Sequence, residues 1–133
     1  MFVEKRYDLG LRILLALAKE PERYHAARDL AEREKALEFQ VRRVLSALTR
    51  AGFLSSTIGR EGGYRLAKPP EEINLYEVFR ALSGEGPVVG LLGQGRGEPT
   101  SPGPSSPTFG FWRTLEEKFR QILQAQSLAD LLS

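Results

Sequence analysis

The stretch Phe53-Leu54-Ser55-Ser56-Thr57-Ile58-Gly59-Arg60-Glu61-Gly62-Gly63-Tyr64-Arg65-Leu66 decides the fold. It opens on a run of aromatic and β-branched residues, passes through Gly59, Gly62 and Gly63, and ends with Tyr64 and Leu66 alternating with Arg65. That order predicts a β-hairpin with a glycine-rich tip, with Tyr64 and Leu66 on one face and Arg65 on the other. Pro69-Pro70 stops the second strand.

Immediately upstream, Val41, Val44, Leu45 and Leu48 form the inward stripe of a helix running from about Leu37 to Ala51, with Gly52 as its left-handed cap. Before it, Ala26 to Arg33 reads as a short helix that turns Leu30 and Ala31 inward and Arg28, Glu32 and Arg33 to water. The first helix carries Tyr7, Leu11, Leu14, Leu15 and Ala18 at the spacing of one buried face, and Pro21 ends it. Three helices with two tight connections predict a tri-helical core.

Downstream of the hairpin, Asn74 is a good N-cap with Glu77 three residues on. Leu75, Val78, Phe79 and Leu82 then make a fourth amphipathic helix closed by Gly84. From Gly84 to Gly110 the composition changes, taking in eight of the chain's 13 glycines and five of its eight prolines. This predicts a flexible Gly/Pro/Ser-rich loop over 84–110, dividing an N-terminal domain over 1–83 from a C-terminal helix and turn over 111–133. In that last segment Phe111, Trp112, Leu115, Phe119, Ile122 and Leu123 form a wide apolar stripe. Opposite the stripe, the spacing predicts ion pairs of Arg113 with Glu117 and of Glu116 with Arg120. Ser127 caps a final turn.

The composition excludes much chemistry. There is no cysteine and one histidine, His25, which removes thiolate catalysis, disulfides, Cys/His zinc sites and Cys-held iron–sulfur clusters. Without a Gly-rich phosphate loop or a partner for His25, no constellation resembles an active site, so we expect no enzyme, no cofactor and no metal. His25, at the start of the second helix, reads as a surface or capping residue. No apolar run approaches the roughly 20 residues that cross a bilayer. The charged start Glu4-Lys5-Arg6-Tyr7-Asp8 is unlike a signal peptide, and the expectation is a cytoplasmic protein.

Charge distribution points to a partner. Arg42, Arg43, Arg50, Arg60, Arg65 and Lys68 against the single acid Glu61 give residues 39–68 a charge of +5 in a chain of net +2. The bases lie on the third helix and the hairpin, the two elements that a winged helix-turn-helix protein brings to DNA. The expected fold is therefore mainly α, a winged helix-turn-helix domain with a two-stranded wing and a long C-terminal dimerisation helix. The candidate DNA-binding residues are Glu38, Phe39, Gln40, Arg42, Arg43, Arg60 and Arg65. Gln addresses adenine and Arg addresses guanine or phosphate, with Arg42 the first choice for a base contact. Arg43 reads as a specific base contact or else as a plain phosphate contact or a surface pair with Glu38, and Phe39 as a thymine-methyl contact or a core-edge aromatic. Tyr64 reads as hairpin packing. The apolar stripe exceeds what one small core covers, so a second copy is its expected partner, presenting two reading helices about 34 Å apart to a palindromic operator. The alternatives are a winged-helix module that binds another protein and a regulator that responds to a small molecule.

The residues also resemble a family. Arg50-Ala51-Gly52-Phe53-Leu54, the run Gly62-Gly63-Tyr64-Arg65-Leu66-Ala67-Lys68-Pro69-Pro70-Glu71-Glu72-Ile73-Asn74-Leu75 and the ending Ser127-Leu128-Ala129-Asp130-Leu131-Leu132 look like the Rrf-two family of bacterial transcription regulators. That family includes the sensors IscR and NsrR and the cluster-free CymR. The resemblance covers nearly the whole chain and implies a dimeric winged-helix protein whose long C-terminal helix crosses to the partner subunit. It also implies that Phe39, Gln40, Arg42 and Arg43 lie in the DNA-reading stretch. Three departures stand out. The sensors' three cysteines have no counterpart in Gly93 to Gly110. The turn before the recognition helix reads Lys35-Ala36-Leu37-Glu38, without the family's frequent glycine and Ser/Thr cap. Ile58 stands where several relatives have an arginine, with Arg60 beyond Gly59. The expected function is a homodimeric, sequence-specific DNA-binding regulator, a repressor that uses no iron–sulfur cluster and whose effector is unknown.

Overall fold

A computed structural model describes residues 4–84 and 103–132. Its elements follow the order α1 (Lys5–Lys19), α2 (Ala27–Glu34), α3 (Glu38–Arg50), β1 (Leu54–Thr57), β2 (Gly63–Leu66), α4 (Leu75–Ser83) and α5 (Phe109–Gln124). Short 3-10 turns at Pro70–Glu72 and Leu128–Leu131 precede α4 and follow α5. The mainly helical class and the two-stranded antiparallel wing match the sequence reading, with Leu54 opposite Leu66 and Thr57 opposite Gly63.

Helix α3 buries Val41, Val44, Leu45 and Leu48, the four residues its periodicity selects. Gly52, just past its end, has φ 89°, the left-handed cap. Helix α2 turns Leu30 and Ala31 inward as expected. Helix α1 differs from its reading: it buries Leu9, Ile13, Ala16 and Leu17 beside Tyr7 and Leu14, while Leu11, Leu15 and Ala18 sit at the edge of the core. The reason is that α1 is surrounded by α2, α3, α4 and β2, so more than one face is covered and a single-stripe reading selects the wrong flank. Tyr7 stacks on Phe79 of α4 with ring centroids 4.8 Å apart, and burial pushes its hydroxyl pKa above the ordinary value of 10.0.

The wing is tied to the helical core from outside the hairpin. His25 and Tyr64 exchange both backbone hydrogen bonds, at 2.8 and 2.9 Å, so the segment before α2 acts as a third strand one residue long. His25 is accordingly 4% exposed, with Nε2 3.3 Å from the Glu20 carbonyl oxygen. It is neither a surface nor a capping residue. Gly63, at φ 148°, lies against the same segment, and a β-carbon there would fall on the His25 carbonyl.

Asn74 joins α4 to the C-terminal segment. Its Oδ1 accepts the Glu77 N–H at 3.2 Å, the cap read from the sequence, while its amide donates to the Gln124 carbonyl at 2.9 Å. The Leu128 N–H donates to the Ile73 carbonyl, and both side chains are fully buried. Ser127 and Asp130 form a capping box over the last turn. Most of the expected 84–110 loop lies outside the described residues, and α5 begins at Phe109 rather than Phe111. Within it Arg120 pairs with Glu117 three residues away, and the Arg113 guanidinium lies over the Phe109 ring.

Candidate nucleic-acid interface

With one stripe of α3 in the core, the opposite side presents Glu38, Phe39, Gln40, Arg42 and Arg43 to solvent. Phe39 is 57% exposed, which removes the core-edge reading of that aromatic. Arg42 Nε donates to Glu38 Oε2 at 2.8 Å, so the acid expected as a partner for Arg43 is taken by its neighbour. The physical reason is spacing, since Arg42 is one turn from Glu38 and Arg43 is rotated past it. Arg43 makes no ion pair among the described residues.

On the wing, Ile58 is fully exposed and Arg60 projects from the tip beside it. Arg65 is directed differently. Its guanidinium lies 4.4 Å from the centre of the Tyr24 ring and its Nη1 donates to the Glu22 carbonyl at 3.3 Å. That contact joins β2 to the α1–α2 connection, the same segment that holds Tyr64. Tyr64 packs against the core, as hairpin packing predicts. Tyr24 was not legible as a contributor, because its partner lies 41 residues along the chain.

The structure also gathers cations that a tally along the sequence separates. A groove of about 930 Å³ between α1 and α3 is lined by Lys5, Arg12, Lys35 and Arg50 together with Arg43 and Gln40. Three of these lie before residue 39, outside the basic segment read from the sequence.

The apolar stripe of α5 is left uncovered. None of its residues is buried; Phe111 is 62% and Ile122 53% exposed, while Trp112, Leu115, Phe119 and Leu123 are half-buried. Trp112 meets Phe111 edge to face at 4.9 Å.

A tri-helical core whose third helix is exposed on one side, with a two-stranded wing beside it, defines the winged helix-turn-helix class of DNA-binding proteins. A family profile described as "Rrf2: Iron-dependent Transcriptional regulator" matches residues 3–133. The chain belongs to the Rrf2 family, whose profile describes a transcriptional regulator. A protein named as an HTH-type transcriptional regulator of Synechocystis is 31% identical over 123 residues, which are 92% of this chain and 81% of that protein. Another, of Mycobacterium tuberculosis, is 34% identical over 88 residues, 66% of this chain, and the match spans 53% of that relative. The chain thus covers about half the length of the Mycobacterium relative. The solved structure of T. potens IscR shares the fold, with a TM-score of 0.76 at 24% identity over 99% of this chain and 86% of the other.

The matched family is described as iron-dependent, which calls for side chains able to hold iron. The sequence has no thiolate donor and one imidazole, which is buried against the Glu20 carbonyl. Among the described residues no three His, Cys, Asp or Glu side chains come together. These donors do not fit an iron–sulfur cluster held by this chain. No helix among the described residues is long and apolar enough to cross a membrane.

Proposed function

We propose that the chain acts as a homodimeric, sequence-specific repressor that reads a palindromic operator with α3 and its wing and needs no iron–sulfur cluster. The observation that carries the reading is the exposed face of α3, where Gln40, Arg42 and Arg43 stand opposite the buried stripe. Gln40 addresses adenine and Arg42 guanine, while Arg43 and Arg60 address phosphates and Arg65, held on Tyr24, fixes the wing that presents Arg60. The uncovered stripe of α5 supports a second copy as partner, because an apolar face of that size is not left in water. Repression follows from occlusion, since a dimer seated on a promoter blocks other proteins from the same DNA. The missing thiolates support cluster independence.

Duplex titration across a range of salt concentrations tests the reading. Arg43 and Arg60 from two subunits address about four phosphates, so log K against log salt should fall with a slope of about -4 or steeper. Binding that ignores salt would leave a protein-interaction module as the better description. Protein purified without oxygen should be colourless, and its DNA affinity should not respond to reductant.

A further inference from the structure

Lys35 is the non-glycine residue with positive φ among the described residues, at φ 54° and ψ 45°. In that left-handed region a β-carbon crowds the following carbonyl, a cost that glycine does not carry. The fold enforces the conformation. The Lys35 N–H donates to the Glu32 carbonyl at 3.4 Å and the Ala36 N–H to the Ala31 carbonyl at 3.0 Å, closing α2 with a left-handed cap. Glycine suits that cap best, so a lysine there is held against the local backbone preference.

Its side chain is exposed and makes no ion pair among the described residues, although acids stand close by. Glu34 is engaged by Arg12, whose Nη1 lies 3.0 Å from the Glu34 carbonyl oxygen and 3.3 Å from its carboxylate. Asp8 is engaged by the same arginine at 3.0 Å, and Glu38 by Arg42. The carboxylates around the groove are thus already paired, while Lys35 and Arg43 line it with their charges unneutralised. Lys35 lies in the turn that leads into α3 and Arg43 in the second turn of that helix, the helix that faces DNA in the function proposed above.

We infer that Lys35 is a phosphate-binding residue of the DNA interface, carrying the contact surface from α3 across the groove toward the N-terminus of α1. The inference rests on the DNA-binding reading. A lysine ammonium on a flexible stem suits a phosphate as a point charge and carries no base information. Its contribution is therefore the same on every duplex.

The test pairs thermal melting with anisotropy titrations of a mixed-sequence duplex of about 30 base pairs, between about 50 and 300 mM salt. Lys35→Gly should melt a few degrees higher than wild type, because the strain is relieved. The same variant should bind DNA about fivefold to tenfold more weakly, with a slope shallower by about two, one contact in each subunit. Lys35→Arg should keep wild-type affinity and slope. If wild type shows a steep slope and Lys35→Gly matches it, the Lys35 assignment is overturned and the DNA reading stands. If both variants melt lower and bind equally poorly, Lys35 is structural and the assignment is overturned. A wild-type protein without salt dependence overturns both.

Discussion

The Arg42 guanidinium lies 2.8 Å from the Glu38 carboxylate on the exposed side of α3, so an acid stands beside the residue best placed to read a base. Both side chains are well exposed, and the pair contributes only about 0.3–0.5 kcal/mol to the helix. In the function proposed above, its larger effect is on DNA. A carboxylate near phosphates disfavours duplexes on which Arg42 finds no guanine to reward leaving it. Arg42→Ala should lower discrimination at one base pair of each half-site by about 1–3 kcal/mol. Glu38→Gln should strengthen binding to random duplex while narrowing the gap to operator. Titrations of both duplexes with both variants decide this, and equal losses for Arg42→Ala would mark that residue as a phosphate contact.

The α5 stripe makes a prediction about assembly. Ile122 is among its most exposed residues, so Ile122→Glu disturbs the chain's own packing less than a change at half-buried Phe119. Sedimentation should show monomers for Ile122→Glu and also for Phe119→Glu, with DNA affinity at least tenfold weaker. Wild-type dimers in both variants would move the interface elsewhere.

Gly63→Ala should be among the most damaging small substitutions in the described chain. At φ 148° the new methyl group falls on the His25 carbonyl, which is backbone and hydrogen-bonded to Tyr64. Urea unfolding should show a loss of about 3 kcal/mol or more. A loss below about 1 kcal/mol would show that the wing and the His25 segment separate at little cost.

Asn74 uses its two side-chain polar atoms on different segments, which separates two effects. Asn74→Ala removes the α4 cap and the amide bond to Gln124 together and should cost about 2 kcal/mol in chemical unfolding. Asn74→Asp keeps an acceptor for the Glu77 N–H and lacks the donor, so its loss should be about half as large. Equal losses would place the whole effect on the link to the C-terminal segment.

What the sequence disclosed follows the range of each interaction. The buried stripe of α3, the Asn74 cap and the Gly52 cap are local patterns, and each stands where its spacing puts it. The α1 face was misread because burial there depends on how many neighbours surround the helix, which no single-helix period encodes. His25 was misread for a related reason: its partner Tyr64 lies 39 residues away across two helices and a strand. The pairing of Glu38 with Arg42 rather than Arg43 was within reach, since only Arg42 stands four residues on. The groove with Lys35 was not, because its cations come from three separate segments.

The paired glycines at 62 and 63 have a consequence for how the strands find each other. The β-carbon position of Gly63 is filled by the His25 carbonyl, and that of Gly62 by the Thr57 carbonyl. If β2 slid by one residue in one direction, Tyr64 would take the place of Gly63; in the other, Glu61 would take the place of Gly62. Either shift drives a side chain into a backbone oxygen, and both would turn the inward-facing Leu66 outward. A four-residue hairpin would be prone to such slippage by itself. Here the misaligned pairings are blocked by two adjacent residues without side chains, so the wing can dock on the helices in one alignment only.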